Sequence, residues 1–442
     1  MFASTATPLT SRLTEAALGF QDALELNPTR PDALVGMSLV AIASQQPQAA
    51  VQLAQAAVTA APRFGVAWVT LGQALKSVGR CDDAEHAYRE AVALDGMSIL
   101  ARLGLGELRL AGGDAKQALW EYDFALRRDP TLPAAHMGMG HTLAFLGRHA
   151  EALASYEQAL VFAPRLAEAE FAAACVLARL GRTRAAEARY RRAIAFRPDF
   201  AAAWMNLGCL LREDGREVSA QAALERAVAL RADMIAGWIN LALLKRELRL
   251  ADQAEAYLRK ALTVDPENTN TLIAWSQLRA DERDLDGAWQ WLRKALAREP
   301  ANPEAINMEG ILLHIEERFT DAVDVFLRAE SLGCLAATSN RGNSLMDLGR
   351  YAESLDAHRA AAARDPHNPG ASYNLALTEL RLGHWRDGWP RYESRLRFRD
   401  VTRTPVHSNS RAGRAGRSKA DASCSTPSRG WETPFSSAVM RR

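Results

Sequence analysis

Apolar residues recur along most of this chain on a helical spacing, in pairs of short amphipathic segments. Over 65–98, Trp68, Leu71 and Gly72 mark the buried face of a first helix, and Ala84, Tyr88 and Ala91 that of a second. The scheme returns with Leu105, Gly106, Ala118, Tyr122 and Ala125, then with Trp204, Leu207, Gly208, Ala220 and Ala227. It returns again with Trp238, Leu241, Ala254 and Ala261. Each stretch predicts a helical hairpin with one buried stripe per helix. One hairpin cannot bury both of its faces, so neighbours must stack.

Punctuation supports the same reading. Seven prolines, Pro28, Pro62, Pro130, Pro164, Pro198, Pro266 and Pro300, lie 34 residues or twice that apart. A proline pushes the residue before it out of the helical region, so each one closes a second helix. Gly79, Gly147, Gly181 and Gly349 end first helices, where a left-handed conformation is needed. Gly72 and Ala84 are small because the two helices of a hairpin approach closely there. The pattern has departures. Glu170 stands where a bulky residue is usual, and Gly96 and Ala232 replace the closing proline. Pro366 lies 66 rather than 68 residues after Pro300. The missing pair, around 331–335, predicts a local kink or loosened stacking near Gly333.

The pattern W-x-x-L-G, then A-x-x-x-Y, then A, then P, at a 34-residue period, resembles the tetratricopeptide repeat (TPR). The resemblance runs from about Thr14 to Val401, with eleven units from Pro31 onward and a half-unit before them. It implies an all-α, right-handed superhelical solenoid. The expected domains are an incomplete N-terminal repeat over 1–30, a TPR solenoid over 31–402 and a basic disordered tail over 403–442.

Composition narrows the function. A formal net charge of +2 gives neither a basic stripe nor an acidic tail. The first eight residues lack the basic and apolar regions of a secretory signal, and no apolar run is long enough for a membrane span. Cys81, Cys175, Cys209, Cys334 and Cys424 are scattered and odd in number, which points to reduced thiols and a cytoplasmic location. No nucleophile elbow, Walker loop, zincin motif or zinc spacing is present, so no catalytic residue, metal or cofactor is expected.

A binding role remains. In such a stack the first helices line a concave face. Positions offset from the packing stripe give Val69, Gln73, Lys76, Met137, His141, Phe145, Phe171, Cys175, Met205, Cys209 and Ile239. Met and aromatic groups there suit a protein or peptide segment; packing against neighbouring turns is the competing explanation. Asn206, Asn240, Asn340 and Asn374 share one register position, two residues after the usual tryptophan. They resemble the asparagine ladder of the O-GlcNAc-transferase TPR domain, which implies contacts to a peptide backbone. Asparagine is also common at that position in the family. The expected peptide-binding set is therefore Met137, His141, Phe171, Met205, Asn206, Ile239, Asn240, Asn340 and Asn374.

The final unit carries G-W-x-x-Y-E-x-R over 388–395. This is similar to the last repeat of bacterial TPR proteins that continue into a heptosyltransferase-like glycosyltransferase domain. Such a chain would be the substrate-recruiting part of a glycosyltransferase lacking its catalytic domain. After Val406 the sequence turns rich in Ser, Gly and Arg, without apolar period. One reading is a tail that binds nucleic acid, the only nucleic-acid contact expected. The other is a frameshift, because codon degeneracy in the shifted frame permits HAEQGLGDT, a stretch resembling the fused enzymes.

Overall fold

The computed structural model describes residues 9–366 and 368–393, with side chains from residue 13 onward. All 23 regular elements among them are α-helices. The chain divides into two compact units, Met1–Asn206 and Leu207–Arg442.

The first unit opens with a lone helix, α1 (Leu9–Leu26), followed by antiparallel hairpins. These are α2 (Pro31–Ala43) with α3 (Pro47–Ala60), α4 (Gly65–Ser77) with α5 (Cys81–Leu94), and α6 (Ile99–Ala111) with α7 (Ala115–Arg128). Next come α8 (Pro133–Phe145) with α9 (His149–Phe162), and α10 (Ala167–Arg179) with α11 (Thr183–Phe196). The division falls inside α12 (Ala201–Glu213).

In the second unit α12 pairs with α13 (Glu217–Leu230), then α14 (Ile235–Glu247) with α15 (Ala251–Val264), and α16 (Thr269–Asp281) with α17 (Leu285–Arg298). It ends with α18 (Pro303–Ile315) and α19 (Phe319–Ser331), α20 (Leu335–Asp347) and α21 (Tyr351–Arg364), and α22 (Pro369–Arg381) and α23 (Trp385–Tyr392). Eleven hairpins follow the half-unit, in the register that the sequence predicts. The tail over 403–442 and its frameshift reading lie outside the described residues.

The core is built from the predicted stripes. Ala84, Tyr88 and Ala91 are each about fully buried, as are Ala118, Tyr122 and Ala125. Tyr88 shows why small residues face it. A Cβ on Gly72, in the same hairpin, would lie 2.7 Å from its ring, and one on Gly104, in the next, 2.3 Å. The ring thus locks two successive first helices at once.

The closing position of each repeat has a second role. The Trp68 indole N–H donates to the Pro62 carbonyl at 2.8 Å, Trp204 to Pro198 at 3.0 Å and Trp238 to Ala232 at 2.9 Å. His136 Nε2 meets the Pro130 carbonyl at 2.9 Å and Arg102 Nη2 donates to that of Gly96 at 3.3 Å. Gly96 and Ala232 are therefore compatible with the scheme, because the carbonyl is what the next helix uses. Glu170 cannot donate. It turns instead to Arg189 Nη1 at 3.0 Å and Arg192 Nη1 at 3.2 Å, and lies 2 % exposed. A buried carboxylate held by two guanidiniums replaces the indole.

The turn between helices takes positive φ at one register position throughout. Gly79 (φ 77°) shows it, but so do Gln45 (57°), Arg249 (59°), Arg283 (64°) and Glu317 (61°). The expected loosening near Gly333 does not occur. The two missing residues come from α19, which is one residue shorter than α17, and from the link, which is also one shorter. Gly333 at φ 95° and a Cys334 N–H to Ala329 carbonyl bond of 3.0 Å close the helix. Phe326, Ala329, Cys334 and Ala337 remain buried around the join.

Candidate functional site

The first helices present the offset positions, and their burial varies along each unit. In the first unit, Met137, His141 and Phe145 follow one another at i, i+4 spacing along α8. Met137 is half-buried against the core, His141 is exposed and Phe145 is 62 % exposed. The His141 ring meets the edge of Tyr156 at 5.4 Å. Desolvation by surrounding protein lowers its pKa against the opposing pull of Glu107. Glu107 itself pairs with Lys76 of the preceding hairpin.

Further along the first unit the row is more occupied. Phe171 lies 4.8 Å from Phe200 and 5.9 Å from Tyr190, ring to ring, and Arg197 covers Phe200 at 3.7 Å. Cys175 Sγ accepts from Tyr190 Oη and Asn206 Nδ2, each at 3.4 Å, and burial pushes its thiol pKa up. Met205 and Asn206 are half-buried. The thiol is therefore a packed, protonated group rather than a nucleophile.

Early in the second unit the same register sinks. Ile239, expected on the open face, is 2 % exposed and belongs to a core cluster with Ala274 and Trp275. Trp275 stands where leucine is usual, and its bulk closes over this position. Val69 of the first unit is likewise buried, at 5 %. Both are corrections: neither side chain is available to a ligand.

The asparagines are brought into register but not into contact as a set. Asn240 is buried and its Nδ2 donates to the Ala236 carbonyl one turn back, at 2.8 Å. Asn340 Nδ2 donates to Asn307 Oδ1 and Asn374 Nδ2 to Ser339 Oγ, each at 3.0 Å. One amide hydrogen of each is thus engaged within the fold. Asn340 and Asn374 remain half-buried, in a polar belt that also holds Asn343 and His358. The sequence reading missed that belt, although Asn307 and Ser339 follow the tryptophan register by one residue, as Met137 does.

Two tetratricopeptide-repeat family models match the chain. One covers residues 69–133, 171–235 and 339–385, and the other 133–164 and 235–268, together more than half of its length. This chain belongs to the tetratricopeptide-repeat family.

Solved structures give further likenesses. A TPR protein from Parabacteroides merdae superposes with a TM-score of 0.51 at 17 % identity, covering 56 % of this chain and 99 % of that one. Yeast Tom70 gives 0.46 at 14 % identity over 84 % of this chain and 92 % of its own. A thermophilic TPR protein of Thermus thermophilus gives 0.39 at 23 %, over 41 % and 99 %. No curated protein matches. Among the described residues of this TPR chain, no group of three or more His, Cys, Asp or Glu is placed to hold a metal. No described helix is long and apolar enough to cross a membrane.

Proposed function

We propose that this TPR chain is a non-catalytic scaffold that binds a protein or peptide segment on the first-helix face. The observation carrying this is the open strip on α8. His141 and Phe145 are left to water on the face where Met137 dips to the core, so hairpin stacking leaves apolar and aromatic surface unused. An extended or helical segment with an aliphatic or aromatic anchor suits such a strip. Phe171 and Met205 support it from the neighbouring first helices, and Asn206, Asn340 and Asn374 keep carbonyl oxygens for peptide N–H groups. Free thiols at Cys81, Cys175, Cys209 and Cys334 fit a reducing, cytoplasmic setting.

Peptides selected by display on the full chain test the proposal. Affinity for a selected peptide should fall at least about tenfold in a His141→Asp, Phe145→Asp double variant, as loss of anchor contacts does at interfaces. It should stay unchanged in Val218→Asp, on an exposed site elsewhere. Equal weakening in both, or in neither, contradicts the proposal.

A second reading, the recruiting part of a bacterial glycosyltransferase, rests on the motif over 388–395. Within it Gly388 packs under Leu380, where a Cβ would lie 2.8 Å from Cγ, and Arg391 reaches the buried Glu379 at 2.5 Å. Both contacts are equally served by a terminal hairpin. Sugar transfer by the product of a frame-restored gene, and none by this chain, would favour that reading.

A further inference from the structure

Helix α1 keeps open a face that the second helices α3 and α5 bury. Its Ala16, Phe20 and Ala23 hold the register of Ala84, Tyr88 and Ala91 in α5, two hairpins on. Those three residues are buried, with α4 and α6 packed on either side of α5. Among the described helices only α2 packs against α1. A Cβ on Gly36 of α2 would lie 2.4 Å from the Phe20 ring, so that side is held as Gly104 holds Tyr88. No described helix supplies the second glycine that Gly72 gives to Tyr88. Ala16 is therefore exposed, and Phe20 and Ala23 are only half-buried.

Gly19 is the anomaly on this face. The same register position in α5 holds the buried Ala87, yet a Cβ on Gly19 would meet nothing within 4 Å. Nothing in the described fold requires a glycine there, although glycine weakens a helix interior relative to alanine. The residues around it make the face symmetric. Leu13, Ala16, Gly19, Phe20, Ala23 and Leu26 follow one side of α1 at i, i+3 or i, i+4 spacing. Outside the central Gly19–Phe20 pair they read alike in both directions. The half-buried Leu13 and Leu26, 89 % exposed, stand at the two ends.

We propose that α1 is a homodimer contact, in which a second copy of this chain lays its own α1 antiparallel across the open face. A two-fold axis between Gly19 and Phe20 sets Leu13 against the partner's Leu26 and Ala16 against the partner's Ala23. Each Phe20 ring then lies over the partner's Gly19. An isologous contact needs a self-complementary face, and this one carries both the ring and the glycine that receives it. The pairing reproduces the ring-on-glycine contact that joins Tyr88 to Gly72 within a hairpin. Small side chains at Ala16 and Ala23 allow the two helices to approach closely.

Sedimentation velocity of the full chain, from about 1 to 100 µM, tests the proposal. A concentration-dependent shift from monomer to dimer is the expected result. Phe20→Asp and Gly19→Leu should each weaken the dimer at least about tenfold. Gly19→Leu decides the matter even if Phe20→Asp loosens α1, because a side chain at 19 meets nothing in the described fold. The antiparallel register is read by mixing Ala16→Cys and Ala23→Cys chains, oxidising them and locating the disulfide by mass spectrometry. A 16–23 crosslink between copies should dominate over 16–16 and 23–23. A monomer throughout the range, a dimer of wild-type strength in Gly19→Leu, or a dimer without the 16–23 crosslink would overturn the proposal. A monomeric chain that dimerises once residues 1–8 are removed would give the face to that segment, and would overturn it too.

Discussion

Tyr88 is closed in by Gly72 and Gly104, and a methyl group on Gly104 would sit 2.3 Å from its ring. Gly104→Ala should therefore destabilise the first unit by about 1–3 kcal/mol, measured by urea unfolding, since the ring has no space to retreat. The opposite sign is expected at the turn. Arg283 adopts φ 64° and Glu317 φ 61° where seven other repeats use glycine. Replacing either by glycine should stabilise by about 1 kcal/mol, because a side chain in the left-handed region is strained. At His358 the expected signal is pH-dependent. The ring is fully buried, in the register position held by Tyr88 and Tyr122. It is held by Thr378 Oγ1 at 2.8 Å and the Ser339 carbonyl at 3.2 Å. Burial, reinforced by Arg341, pushes its pKa from the ordinary 6.5 down to about 4. The fold thus favours the neutral ring. Its contribution is complete above pH 6.5 and is lost as the pH falls toward 4, about 3 kcal/mol in all. His358→Leu should flatten that dependence in a series of melts across the window.

At the scale of the helix and its caps, the closing residue matters through its carbonyl more than through its ring. Pro62→Ala should cost under about 1 kcal/mol, while Trp68→Phe, which removes the donor to that carbonyl, should cost about 1–2 kcal/mol by thermal melts. The hairpin boundaries were legible in the sequence because prolines, glycines and small residues answer to local rules of backbone geometry. The carbonyl's role was not, since it appears only when Trp68, His136 and Arg102 are seen to reach back to the same atom by three chemistries. The same limit explains the site. Met137 and Ile239 are equivalent in register, yet one edges an open strip and the other is buried in a cluster with Trp275. Register is set within a helix, whereas exposure is set by the neighbouring hairpin. The join at 331–335 looked like a fault for a related reason: a deletion shared between helix and link leaves the packing intact.

Across the molecule, each hairpin leans mainly on its neighbours, so local weakness should stay local before it spreads. The buried His358 lies in the last hairpins of the second unit. Hydrogen exchange near pH 4.5 should therefore show α20–α23 losing protection before α14–α17 do. Simultaneous loss along the second unit would mean stronger coupling than nearest-neighbour stacking provides. Function is read at this scale too, because a segment bound along first helices touches several repeats and no single motif records it. The most direct test of that claim is photo-crosslinking with a benzoylphenylalanine in place of Phe145, using a display-selected peptide. Crosslinking from position 145, competed away by unlabelled peptide and absent from the same probe at Val218, is the expected result. Equal capture at both positions, or capture at 218 alone, would contradict peptide binding on the first-helix face.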